Sequence, residues 1–227
     1  EEVEEVSHHL LGRGGELSLS IIPESYQIEG IVRSVARLPL LVSVHKSGSP
    51  SYFSFDERRI SLELPPDGLP RTVWRAVIQA RALHEAAHAR YILSPRPTKT
   101  YRGVSVSEDL HDFLLFMERL VREKPHLREV GKAVYNILLD VLHESRVMRE
   151  FPSFAPLLKF YRKWLLFNVL DRIRGSFPER ALTAAIQVLR CGGLNTDIRG
   201  DEELVGFLQE VINVYRRVRA GEAPLRE

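Results

Sequence analysis

The chain has 227 residues, of which 44% are hydrophobic and 27% charged, a composition that excludes collagen-like, disordered and disulfide-framework classes. Its 32 lysine and arginine residues nearly balance its 30 aspartate and glutamate residues, so the charge gives no reason to expect a nucleic acid as partner. The first third of the sequence then predicts a mixture of short strands and short helices. The strands are predicted at 16–22, 40–44, 52–55 and 59–64, and the helices at 1–11 and 27–38.

After the turn at Pro65–Gly68, the sequence predicts helices throughout. These helices are predicted at 70–93, 107–123, 127–150, 154–174, 179–189 and 201–220. Because the strands come first and the helices follow, we predict an α+β fold that is predominantly helical. We divide it into a first region at 1–152 and an appended helical layer at 153–227, both within one compact unit.

Cellular location is predicted from the cysteine content and from the apolar runs. The longest runs, such as 113–117 and 164–167, are too short to cross a bilayer, so no membrane partner is expected. A single cysteine, Cys191, cannot form an internal disulfide, which is typical of a reducing compartment and predicts a cytoplasmic protein. Cys191 can in principle present a thiolate to a metal, but a lone cysteine at a helix end is more often an inert small residue.

The predicted helix at 70–93 contains the motif His84-Glu85-Ala86-Ala87-His88. Positions i and i+4 lie on the same face of a helix, so the two imidazoles can share one tetrahedral zinc ion. Glu85 then reaches the zinc-bound water and acts as its general base during attack on a carbonyl. The alternative is a pair of core histidines that are satisfied by hydrogen bonds. The histidine face continues an apolar stripe formed by Val73, Val77 and Ala80.

A third zinc ligand is predicted on the helix at 127–150. Its middle is apolar almost all round, which indicates a buried helix, while Asn136, Asp140 and Glu144 form one polar column at spacings of four. A buried carboxylate needs a partner, and a metal ion is an effective one. The alternative is an internal hydrogen-bond network, or an ion pair with Arg146 or Arg149.

Asp140 and Glu144 compete for the third-ligand role. We prefer Asp140, because its sequence surroundings are the most apolar, and keep Glu144 as the alternative. The carboxylate that is not a ligand, together with Asn136 and His143, would orient the ligands through hydrogen bonds.

These residues resemble a known group of enzymes. The His84-Glu85-x-x-His88 motif followed by an acidic residue on a later helix is similar to the zincin metallopeptidases, and within them to the gluzincins, whose third ligand is a carboxylate. The run from Asn136 to Glu144 also resembles metallopeptidase domains associated with von Willebrand A-type proteins. In familiar gluzincins the ligand glutamate precedes an aspartate by four residues, whereas here the aspartate comes first. The metzincin clan is excluded by Tyr91 and Ser94, where it needs glycine and histidine.

The resemblance implies an architecture as well as an activity. A small, twisted N-terminal sheet would pack on the active-site helix, with an edge strand that holds an extended peptide. The strand at 59–64 is our candidate for that edge, with an ordinary core strand as the alternative. A zincin also needs a donor for the oxyanion of the transition state. Four residues are candidates for this donor: Tyr91, Tyr101, His111 and His143.

The sequence therefore predicts a zinc peptidase with one zinc ion per chain and a peptide or protein as substrate. The resemblance alone adds a von Willebrand A-type protein as a partner. A second hypothesis is a non-catalytic interaction module whose zinc is structural, with Glu144 or Cys191 as the fourth ligand. A third is a zinc hydrolase that acts on a small amide.

Overall fold

The computed structural model describes residues 17–46, 49–54, 56–93 and 99–220. Helices predominate beside small sheets, which confirms the predicted α+β, predominantly helical class. The helix predicted at 1–11 lies outside the described residues. The chain forms two compact units, the first from residues 1–96 and 147–161 and the second from residues 97–146 and 162–227. The predicted division at residue 152 stays a prediction.

The described residues form six strands and seven α-helices. The strands are β1 (Leu17–Ser18), β2 (Leu41–His45), β3 (Tyr52–Ser54), β4 (Arg59–Glu63), β5 (Lys99–Tyr101) and β6 (Val104–Val106). The helices are α1 (Ser25–Ala36), α2 (Arg71–Ile92), α3 (Glu108–Glu123), α4 (Arg128–Glu150), α5 (Ala155–Asn168), α6 (Phe177–Ile186) and α7 (Glu202–Ala220).

The first unit contains a four-stranded sheet in the order β1-β2-β4-β3. Strand β4 lies inside this sheet, because it pairs in parallel with β2 on one side and antiparallel with β3 on the other. Its residues Ile60 and Leu62 are completely buried. The expectation that 59–64 is a peptide-binding edge is therefore wrong, and the core-strand alternative is confirmed. The pairing with β2 joins segments separated along the chain, which the local pattern of β4 does not reveal.

Helices α1 and α2 share the hydrophobic core of this sheet. Alanine favours the helical state more than any other residue, and its small side chain lets a helix approach its neighbours closely. Helix α2 is correspondingly rich in buried alanines: Ala80, Ala82, Ala86, Ala87 and Ala89. This burial on several faces keeps the middle of α2, which carries the histidine motif, inside the first unit.

The second unit begins with a β-hairpin that the sequence reading missed. Strands β5 and β6 pair antiparallel around Arg102 and Gly103, which have φ angles of 46° and 83°. Positive φ at both central residues is the requirement of the tightest hairpin turns. The usual signal for such a turn is Asn-Gly or Asp-Gly, and Arg-Gly lacks the asparagine or aspartate.

Helices α6 and α7 share a smaller core formed by Ile173, Ala181, Ala184, Leu204 and Leu208. Helix α6 continues into a π-helical turn, Gln187–Cys191. Gln187 is completely buried, donates to the carbonyl oxygen of Asp171 at 2.8 Å and accepts from the backbone N–H of Asn195 at 3.0 Å. These bonds fix the start of the turn to the loops on both sides of α6.

Candidate metal centre

His84 and His88 lie one helical turn apart on α2, as the motif predicts. Their Nε2 atoms are 3.3 Å apart, and their rings meet edge to face with centroids 4.7 Å apart. A tetrahedral zinc ion with Zn–N bonds of about 2.0–2.1 Å holds two imidazole nitrogens roughly 3.3 Å apart. The pair therefore has the spacing of a zinc-binding pair, and it can equally share one N–H···N hydrogen bond when one ring donates and the other accepts.

The residues around the histidine pair are withdrawn from water. His84 is 6% exposed and Glu85 is 5% exposed, while His88 is half-buried. The ring of Tyr161, from α5, lies 6.5 Å from that of His84. The sequence reading missed Tyr161, because no local pattern links α5 to the motif. Two imidazoles at this spacing can serve together as ligands of one cation.

Ionic contacts fix α2 on either side of the motif. Before it, Arg81 pairs with Glu63 at the end of β4, with 2.8 Å between Nη2 and Oε2. After it, Arg90 pairs with Glu150 and donates to the carbonyl oxygen of Val35 at 3.0 Å. The backbone that carries the histidines is thus held at both ends by partners from other elements.

Tyr91, one of the predicted oxyanion donors, takes part in the second of these contacts. Its hydroxyl donates to Oε1 of Glu150 at 2.7 Å. Burial, reinforced by this hydrogen bond, raises the pKa of Tyr91 well above its ordinary value. The phenol therefore keeps its proton at neutral pH and remains a hydrogen-bond donor. Its role toward a substrate stays a prediction.

Asp140 and Glu144, the predicted third ligands, belong to the second unit and are both buried. Nη1 of Arg190 lies 3.0 Å from Oδ2 of Asp140, and Nε of Arg162 donates to Oε2 of Glu144 at 2.6 Å. Ion pairing is the alternative predicted from the sequence, and the partners in the two pairs described here are Arg190 and Arg162 rather than Arg146 or Arg149. Arg162 and Arg190 come from α5 and from the π-helical turn, beyond the reach of any pattern along α4.

The column that contains these carboxylates runs from solvent into the interior. Asn136 is exposed, as are Ala133 and Val134 near it, whereas Asp140 and Glu144 are buried. The expectation of a helix buried all round is therefore wrong at positions 132–134 and 136. The orienting role predicted for Asn136 stays a prediction.

His143 is completely buried and contacts Oδ2 of Asp109 at 3.1 Å through its Nε2 atom. Asp109 also accepts two hydrogen bonds from Arg146. Burial alone would raise the pKa of Asp109, but the hydrogen bonds from His143 and Arg146 outweigh it and hold that pKa below the ordinary value. The sequence analysis did not identify Asp109 as a partner of His143, because the two residues lie on different helices, α3 and α4.

Cys191 and two further oxyanion candidates also lie in the second unit. Burial raises the pKa of the half-buried Cys191 thiol to about 11, so the thiol is protonated at neutral pH. Tyr101 donates to Glu118, and Nδ1 of His111 lies 3.3 Å from Oδ1 of Asp112. Each oxyanion candidate thus has an acidic neighbour.

Comparison with protein-family models, curated proteins and solved structures finds no match to this chain. No helix among the described residues is long and apolar enough to cross a membrane.

Proposed function

We propose that this chain is a zinc-dependent peptidase in which His84, His88 and Asp140 hold one metal ion. The observation that carries the proposal is the 3.3 Å separation of the two Nε2 atoms, beside a Glu85 that is 5% exposed. Two imidazoles and a carboxylate form the ligand set of catalytic zinc sites that keep one position open. Imidazole nitrogen and carboxylate oxygen are ligands that zinc binds in tetrahedral geometry, and the spacing of the two histidines fits that geometry.

The proposed reaction is the hydrolysis of a peptide bond. Zinc, when bound, would supply a Lewis acid that polarises the carbonyl and lowers the pKa of water. Glu85 would take the proton of the attacking water on a carboxylate oxygen and pass it to the nitrogen of the leaving amine. Its position directly after His84 on α2 and its burial support this role, because they place the carboxylate next to the histidine pair and away from bulk water.

Asp140 is proposed as the third ligand in preference to Glu144. The Asp140 side chain is 13% exposed, whereas that of Glu144 is completely buried and accepts the short bond from Arg162. A catalytic ligand faces a site that a substrate must reach, which favours the carboxylate that retains some exposure. The ion pair with Arg190 uses Oδ2 of Asp140, and a carboxylate has a second oxygen that can serve a metal.

The alternative is an interaction module with a closed, structural zinc site. It needs a fourth protein ligand, either Glu144 or Cys191. Glu144 is paired with Arg162, and the Cys191 thiol has a pKa of about 11, so either residue would have to give up its partner or its proton to bind zinc. A cytoplasmic location, a peptide or protein substrate and a von Willebrand A-type partner belong to the proposal on the grounds of the sequence.

The test is metal content by mass spectrometry, on protein purified without added metal and again after reconstitution with zinc. We expect one zinc ion per chain in the wild type, and none in His84→Ala or Asp140→Ala. Glu144→Gln and the control His111→Ala should keep the ion. Circular dichroism confirms that each variant is folded.

Hydrolysis of a peptide library then tests the catalytic role. Glu85→Gln should retain zinc and lose at least a hundredfold in rate, whereas Glu210→Gln, on the exposed side of α7, should match the wild type. Retained hydrolysis in Glu85→Gln would exclude Glu85 as the base. No zinc even after reconstitution would mean that the histidines are a hydrogen-bonded core pair. Zinc without hydrolysis, in a protein that unfolds on chelation, would favour the structural alternative.

A further inference from the structure

The first unit carries a concave feature that the proposed peptidase does not use. A cleft of about 860 Å³ lies where the end of α1, the start of β2 and the turn between β3 and β4 meet. We call it the arginine cleft, because its lining includes Arg33, Arg37 and Arg58. Val32, Leu40 and Leu41 supply an apolar wall. The volume is that of a site for a small organic molecule.

Two of the three arginines stand where the backbone favours glycine. Arg37 ends α1 with a φ of 55°, and Arg58, in the turn before β4, has a φ of 46°. A residue other than glycine in this left-handed region is held there at the expense of stability. Glycine would relieve the strain but would leave no side chain. Arginine at both positions places two guanidinium groups at this cleft.

Hydrogen bonds of the backbone hold the two turns that carry these arginines. The backbone N–H of Leu41 donates to the carbonyl oxygen of Arg58 at 3.1 Å, and the N–H of Arg37 donates to the carbonyl oxygen of Arg33 at 3.2 Å. The Arg37 guanidinium lies 5.8 Å from the ring centre of Phe151. The backbone that carries the arginines is therefore held in place by hydrogen bonds.

The charge of the lining favours an anion. Two carboxylates also line the cleft, Glu29 and Glu57, against three arginines. Glu57 contacts Arg59, which is outside the lining, with 3.5 Å between Oε2 and Nε. Guanidinium groups bind phosphate and carboxylate oxygens through paired hydrogen bonds. A phosphate monoester carries more negative charge and more acceptor oxygens than a carboxylate, so it can engage several guanidiniums at once.

We propose that the arginine cleft binds a small organic phosphate, whose phosphate group contacts Arg33, Arg37 and Arg58 while its carbon skeleton covers the apolar wall. This site is independent of the proposed metal centre. It does not require the chain to be a peptidase, and its failure would leave that proposal untouched.

The experiment is calorimetric titration of the full chain with phenyl phosphate, beside inorganic phosphate and benzoate. Phenyl phosphate should bind saturably and more tightly than either comparison compound, because only it offers both the phosphate and an apolar ring. Binding should weaken as salt is added, since exposed charges are screened. Arg37→Gly and Arg58→Gly should each weaken it about tenfold, the loss expected for one charge-assisted contact.

The matched control is Arg102→Gly. Arg102 also has a positive φ, of 46°, but it lies in the β5–β6 hairpin and does not line the cleft. The Arg102→Gly variant should bind phenyl phosphate as the wild type does. Arg37→Gly and Arg58→Gly should melt no lower than the wild type, because glycine suits their backbone, so a loss of binding in them reports the side chain.

Three results would overturn the proposal. The first is an absence of saturable phenyl phosphate binding. The second is equal binding by the wild type and both cleft variants. The third is benzoate binding as tight as that of phenyl phosphate, which would assign the cleft to carboxylates instead.

Discussion

The carboxylate of Glu144 is completely buried and receives a 2.6 Å hydrogen bond from Nε of Arg162. Withdrawing a carboxylate from water costs several kcal/mol, and a buried arginine offsets that cost only while both partners are present. The pair joins α4 to α5 within the second unit. It accounts for a polar residue deep in this helix without any metal ion.

We therefore expect Glu144→Ala to lower the free energy of unfolding by about 3–5 kcal/mol, because it leaves the Arg162 guanidinium without its carboxylate. Urea denaturation measures this change. The control is Glu123→Ala, whose carboxylate pairs with Arg119 on an exposed surface and should cost less than about 1 kcal/mol. Equal costs in the two variants would contradict the importance of burial at Glu144.

Tyr135 presents the opposite situation, a buried polar atom without compensation. Its hydroxyl is buried and has no hydrogen-bond partner among the described residues. Its ring packs against Phe113 and Phe116, with 5.1 Å between ring centres in both pairs. Tyr135→Phe should therefore leave the free energy of unfolding unchanged or raise it by up to about 1 kcal/mol. Tyr135→Ala should lower it by about 3–5 kcal/mol through loss of packing. A clear loss in Tyr135→Phe would show that the hydroxyl is satisfied after all.

The lowered pKa of Asp109 predicts that the protein loses stability as the pH falls. Hydrogen bonds from His143 and Arg146 hold its pKa below the ordinary value despite burial. A depressed pKa adds stability that is present above the unfolded value of about 3.9 and is lost as the pH falls through the folded value. Asp109→Asn should therefore lose less stability than the wild type between pH 6 and pH 2, as measured by thermal melts across this range. Asp67→Asn, in an exposed turn, should follow the wild-type curve.

The raised pKa of Cys191 predicts how stability changes at high pH and how fast the thiol is alkylated. Burial raises the pKa of its thiol from 9.0 to about 11. As the pH rises, the unfolded chain releases this proton first, so the free energy of unfolding should fall between about pH 9 and pH 11. Iodoacetamide at pH 8 should modify Cys191 about a hundredfold more slowly than a thiol whose pKa is 9.0, because the thiolate fraction is lower by that factor. If a chelator were needed before any modification, Cys191 would be a zinc ligand, which would favour the structural alternative.

The histidine motif could be predicted from sequence because its geometry is local. The spacing of His84 and His88 on a helix brings their Nε2 atoms to the same face, whatever the rest of the chain does. The helical class was predictable for a similar reason, since amphipathic periodicity and proline boundaries are local signals. The end of α5 was harder to predict. The helix ends at Asn168, whereas the sequence pattern predicted that it would continue to residue 174.

Pairings between distant segments could not be predicted in the same way. The parallel pairing of β2 with β4 makes the predicted edge an interior strand, and nothing within 59–64 encodes that neighbour. The arginine partners of Asp140 and Glu144 likewise come from other elements. Such partners depend on tertiary packing, which a pattern along one helix does not contain.

The π-helical turn at Gln187–Cys191 bears on how this chain tolerates changes in length. A π turn contains one residue more than an α turn, and so it often marks a place where a helix has accommodated an insertion. Removing one residue from such a turn should let it close as an α turn, with the residues that follow kept in register. Gln187 is the costly place for a deletion, because its side chain is hydrogen-bonded to Asp171 on one side of α6 and to Asn195 on the other. Single-residue deletions should therefore be tolerated after Gln187, whereas deletion of Gln187 itself should loosen the loops around α6.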